Sequence, residues 1–107
     1  MRARHEEPTR DPVATLRRRA ARFMRKGEPR KAALALREAT ALDPSGASYV
    51  RLAHVLLATG KRDEALHALK QALYCFRYDD MRGRARTVAR LILRLDPNDA
   101  TAQRRAA

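Results

Sequence analysis

The residues in this chain with the means to do chemistry are mostly cations. Arg82, Arg86, Arg90 and Arg94 recur at every fourth position, and Arg17, Arg18, Arg19, Arg22, Arg25 and Lys26 fall within ten residues with no acid among them. A guanidinium presents a planar fork of donors that pairs with a carboxylate or a phosphate. The chemistry on offer is therefore recognition of an anion, and bond-making has little to work with. Cys75 is the single cysteine, and His5, His54 and His67 are the three histidines. A lone thiol excludes an internal disulfide and a thiolate metal cage, and the histidines lack metal-ligand spacing. Neither a glycine-rich phosphate loop nor an assembled nucleophile, base and orienting acid is present. The expectation is a protein that is not an enzyme and carries no cofactor and no metal.

The charge balance points the same way. The 107 residues hold 24 basic and 12 acidic side chains, a net charge of +12, and 20 of the basic residues are arginine. Such a chain is drawn to acidic protein, nucleic acid or an anionic surface. Residues 13–26 supply six of the net charges and 79–95 supply three. Six like charges within ten residues repel one another and gain nothing from neighbours along a helix, so the first of these segments is expected to meet something acidic. The opening "MRARHEEPTRDP" lacks the apolar core of a secretory signal, and no run of about 18 apolar residues could span a bilayer. A reducing, cytoplasmic setting is the expectation, with Cys75 a small buried or half-buried filler.

Those cations need a frame, and the apolar pattern predicts helices. Aromatic residues make up 5% of the chain and tryptophan is absent, which disfavours sheet. Residues 1–11 mix charges without apolar periodicity and read as a disordered arm. Asp11-Pro12 suits a helix start, after which Val13, Leu16, Ala20 and Phe23 form one stripe up to Gly27. Pro29 opens a second helix carrying Ala32, Ala35, Leu36, Ala39 and Leu42 to Asp43-Pro44. Ser45 and Ser48 are candidate caps for a third, with Tyr49, Leu52, Ala53 and Leu56 inward and Gly60 as its stop. A fourth runs from about Arg62 to Phe76 through Ala65, Leu69, Ala72 and Leu73. A fifth begins near Asp79 or Asp80, buries Met81, Ala85, Val88, Ile92 and Leu95, and stops at Asp96-Pro97. Beyond it Asn98 is placed to cap one further turn with little to bury, so residues 98–107 read as a short tail that frays.

The second and fourth helices are written to one plan. Gly27 recurs as Gly60, Ala32 as Ala65, Leu36 as Leu69 and Ala39 as Ala72, each at an offset of 33 residues. A fixed period of this size marks stacked supersecondary units. In the first unit Leu16, Ala20 and Phe23 hold large, small and aromatic places, followed by Ala32, Leu36, Ala39 and Pro44. In the second, Tyr49, Leu52, Ala53 and Leu56 are followed by Ala65, Leu69 and Ala72. On these residues the chain resembles the tetratricopeptide repeat family over about residues 13–77, with Arg19 in a usual leucine place and Arg77 where proline is usual. The resemblance implies an all-α helical-repeat solenoid over residues 12–97, made of two helix-turn-helix units plus a C-terminal capping helix.

The resemblance also implies a site. First helices of such units line a concave groove that receives a partner's peptide, which here assigns Arg17, Ala21, Met24 and Arg25, then Val50, His54 and Leu57. Arg82, Arg86 and Arg90 add the slanted ridge of the fifth helix, since four helical residues turn about 400° and each arginine lies about 40° from the last. The clamp that some members use for the C-terminal carboxylate of chaperones is excluded, because Ala21 and His54 replace its two asparagines and a complete third unit is lacking. Two readings stay open. One is an interaction scaffold taking an acidic or amphipathic peptide or helix of a protein partner. The other is binding of nucleic acid or an anionic surface by helices one and five, against which the few aromatics, Phe23, Tyr49, Tyr74, Phe76 and Tyr78, read mostly as core or joint residues, so that no stacking platform for bases is evident. Two and a half units are few for a free-standing stack, so self-association or a completing partner is a further expectation.

Overall fold

A computed structural model describes residues 11–107, so of the expected arm 1–11 only Asp11 falls among the described residues. Six helices follow in order: α1 (Pro12–Arg25), α2 (Pro29–Leu42), α3 (Gly46–Ala58), α4 (Arg62–Tyr78), α5 (Arg82–Leu95) and α6 (Ala100–Ala106). There is no strand among the described residues. Each helix packs against its neighbours in the chain. The outcome is a slab with extents of 56 × 31 × 17 Å and a radius of gyration of 15.5 Å, against about 13 Å for a compact globule of this size.

Local chemistry sets the ends. The Asp11 carboxylate accepts from the Ala14 amide at 3.0 Å, and Pro12 takes the first helical position, where no amide is missed. Ser45 caps α3 by accepting from the Ser48 amide at 3.2 Å. Ser48 is itself buried rather than a second cap. One turn geometry is used three times. The amides of Glu28, Lys61 and Met81 bond back to the carbonyls of Phe23, Leu56 and Phe76 at 2.8, 2.9 and 2.8 Å. The residue before each of these amides has a positive φ: Gly27 at 72°, Gly60 at 76° and Asp80 at 56°. This is the left-handed helix terminator, which two glycines adopt at no steric cost and an aspartate tolerates.

Two boundaries differ from expectation. With arginine at 77 in place of proline, α4 runs on to Tyr78. Asp79 then closes α4, Asp80 makes the left-handed turn, and α5 starts at Arg82 without a side-chain cap. The C-terminal segment is a seven-residue helix, not a fraying turn, and its cap is Asp99, whose carboxylate accepts from the Ala102 amide at 2.8 Å. It holds because Ala102 is 0% exposed and Lys70 of α4 reaches Asp99 at 3.3 Å.

The core is built on small residues at helix crossings. Ala32, Ala53, Ala65, Ala72 and Ala89 are each 0% exposed, with Leu36, Leu56, Leu69 and Ile92 interlocked around them. Alanine at a crossing lets two axes approach to the lower end of the 8–10 Å range. Two members of the expected stripes lie outside this core: Leu42 is 58% exposed and Met81 38%. Both sit at helix ends, where the periodicity continues but no neighbouring helix does. Polar ties join successive units. Arg37 of α2 pairs with Glu64 of α4, and Arg62 donates to the Leu95 carbonyl at the end of α5 at 3.0 Å.

Candidate peptide-binding groove

The groove begins with a close contact. Gly46, the first residue of α3, is buried, and an added Cβ there would lie 2.5–2.8 Å from three atoms of the Phe76 ring. Lacking a side chain at 46, the ring of Phe76 lies against the start of α3 and forms a floor between α3 and α5. Along that floor run Ala47, Val50, Arg51 and His54 of α3, facing Gly83, Arg84, Thr87, Val88 and Leu91 of α5. The trough encloses about 540 Å³, within the range of about 300–1,000 Å³ common for ligand sites. Its floor is apolar, Arg51 and Arg84 stand on opposite walls, and no carboxylate lines it.

Of the ten site residues expected from sequence, Val50 and His54 line this trough. Ala21, Met24 and Arg25 are exposed on α1, and Leu57, 39% exposed, lies at the far end of α3. Arg17 has a different occupation: one of its terminal nitrogens donates to Asp43 at 3.0 Å and to Ser48 at 2.8 Å. It therefore ties α1 to the joint before α3 and to α3 itself, with its Nε buried and unpartnered. Arg82 and Arg86 line a separate cleft on the other flank of α5, and Arg90 is exposed outside both cavities.

The residues missed by sequence reasoning carried a legible signal. Arg84, Thr87, Val88 and Leu91 fall at helical spacings of three, four and seven, which marks one face of α5. The every-fourth arginines drew attention to a different face.

Titration adds little to this site and more to its frame. The Glu64 carboxyl is held below its usual range chiefly by the hydrogen bond from Arg37, aided by the charges of Arg37 and Lys61. The Asp99 carboxyl is lowered first by the Ala102 amide and then by Lys70. Partial burial, with the charge of Asp79 beside it, raises the Cys75 thiol, whose Sγ lies 3.7 Å from the Pro44 carbonyl. Among the described residues no group of three or more potential ligands is placed to hold a metal ion, and no helix is long and apolar enough to cross a membrane.

Comparison with known proteins agrees with this geometry. The model of the tetratricopeptide repeat family matches residues 46–74, which span α3 and most of α4. No curated protein matches the chain. The matched hairpin is a tetratricopeptide repeat, and the buried alanines repeated at 32 and 65 and the turn used three times extend its pattern to the neighbouring helices.

Proposed function

We propose that this chain is a non-catalytic interaction scaffold whose trough between α3 and α5 takes an acidic, amphipathic helix or peptide from a partner protein. The repeat family itself suggests a role in protein–protein interaction. The observation that carries the finer reading is the composition of the trough. Val50, Phe76, Val88 and Leu91 make an apolar floor while Arg51, Arg84 and His54 stand along its rims. An amphipathic helix buries apolar anchors in such a floor and sets its carboxylates against the guanidinium groups, where paired hydrogen bonds fix register. The rim arginines are exposed, so they contribute to encounter rate and partner choice more than to affinity.

Selection from a displayed random-peptide library tests this. The recovered peptides should carry apolar residues at helical spacing with acids between them. Leu91→Asp should abolish their binding, and Arg84→Glu should weaken it and shift the selection towards basic peptides. Recovery of basic peptides by the native chain, or binding that survives Leu91→Asp in a folded variant, would overturn the assignment.

A further inference from the structure

A second cavity, of about 640 Å³, lies on the opposite flank of α5 and is made where α4, α5 and α6 end or begin. Five arginines line it: Arg77 from α4, Arg82 and Arg86 from α5, and Arg104 and Arg105 from α6. Its one acidic side chain, Asp80, pairs with Arg82 at 3.2 Å across an exposed surface. No carboxylate among the described residues pairs with Arg77, Arg86, Arg104 or Arg105.

Two tyrosines also line this cavity. Tyr74 is 63% exposed and Tyr78 81%, and their rings stack with centroids 6.3 Å apart at an interplanar angle of 29°. The aromatics of this chain therefore do not all belong to core and joints. Two of them stand in water, one turn apart on α4, beside an unneutralised cluster of guanidinium groups. Large aromatics left in solvent next to cations are out of place in a surface that only needs solubility.

From this juxtaposition we infer that the α4–α6 cleft binds single-stranded nucleic acid, with Tyr78 and Tyr74 stacking on bases and the four arginines that lack a carboxylate partner contacting phosphates. Each component matches a part of the ligand. A base presents a π-face to a tyrosine ring regardless of its identity, and a phosphate takes paired hydrogen bonds from arginine. An acidic peptide would satisfy the arginines but leave the tyrosine faces unused. A duplex keeps its bases stacked on one another and denies them to the rings. This cleft shares no arginine with the trough between α3 and α5, so the two sites stand or fall separately.

The test is fluorescence anisotropy with a labelled oligothymidylate of about ten nucleotides, a duplex of the same length and polyglutamate as a competitor. Four phosphate contacts predict that log K falls against log salt with a slope of about −3, and Arg86→Ala should remove about 0.7 of it. Tyr78→Ala should weaken binding about 5- to 150-fold. Tyr78→Phe should restore it, and at 81% exposure neither change threatens the fold. Leu91→Asp, in the other groove, should leave the oligonucleotide affinity unchanged. Duplex bound as tightly as single strand, indifference to Tyr78→Ala, displacement by polyglutamate at equal charge concentration, or loss on Leu91→Asp would each overturn the inference.

Discussion

Replacing Gly46 by alanine tests the contact on which the groove floor depends. The new methyl carbon would sit 2.5 Å from Cε1, 2.6 Å from Cζ and 2.8 Å from Cδ1 of Phe76, where carbons prefer about 3.5–4.0 Å. The ring must therefore retreat by about 1 Å. It is 5% exposed and packed in the core, so it can retreat only towards the trough it floors, giving up core contacts as it goes. Overpacking of this kind costs about 1–3 kcal/mol. Alanine offers a better helix propensity, worth under about 1 kcal/mol at the first position of a helix. The net expectation is a loss of about 1–2 kcal/mol, which lowers the thermal midpoint by about 5–15 °C in a domain of this size. Urea titration followed by circular dichroism measures it, on the native chain, Gly46→Ala, Phe76→Leu and the double variant. Leucine at 76 removes the atoms that clash, so in its background the alanine should be nearly neutral, with a coupling of about 1–2 kcal/mol. Strict additivity of the two changes, or a Gly46→Ala chain as stable as the native one, would show that Phe76 does not lean on α3.

Other consequences are open to equally direct measurement. Ala32→Leu and Ala65→Leu each force a large side chain into a crossing where the native residue is 0% exposed, and each should cost about 1–3 kcal/mol in a denaturant titration. Asp80 holds a left-handed φ of 56°, so Asp80→Val should lose roughly 1–2 kcal/mol while Asp80→Gly stays within about 1 kcal/mol of native. The lost ion pair with Arg82 contributes little to either result because both partners are largely exposed. Asp99 is held below its usual range in the folded chain by the Ala102 amide and Lys70, so it stabilises its charged, folded form. That contribution is complete above the ordinary aspartate range near pH 4 and is lost as pH falls below it through the depressed value. Amide exchange in α6 should accelerate over that acid window, and Asp99→Ala, which removes a cap worth about 1 kcal/mol, should make it fast at every pH.

The repeat was legible because it rests on residue size at fixed spacing. Gly27 with Gly60 and Ala32 with Ala65 each answer a steric demand that few other residues satisfy, and both demands are met in the structure. The site was less legible because orientation and pairing are decided by tertiary contacts. Arg17 looks like one cation among six, yet Asp43, distant in sequence, claims it. Arg82 and Arg86 belong to a regular row, but that row lies on the flank of α5 away from the trough, while Arg84 and Leu91 line it. The last helix was hidden for the opposite reason. "DATAQRRAA" contains too few apolar residues to announce a core, and Ala102 needs only one small methyl to dock. Tyr74 and Tyr78 were misjudged on type alone, since an aromatic on a helix is usually inward and these two are not.

Packing chiefly between chain neighbours has a mechanical corollary. The two walls of the trough are hung from a single lever, α4, whose ring at Phe76 wedges between them. A few degrees of swing in that lever would widen or pinch the channel along its length without unmaking any buried crossing. Gripping something in it would in turn stiffen the whole slab like a clasped spring. Occupancy would then be felt two residues on, at the C-terminal end of α4, where Tyr78 and the arginines around it ride on the same rod.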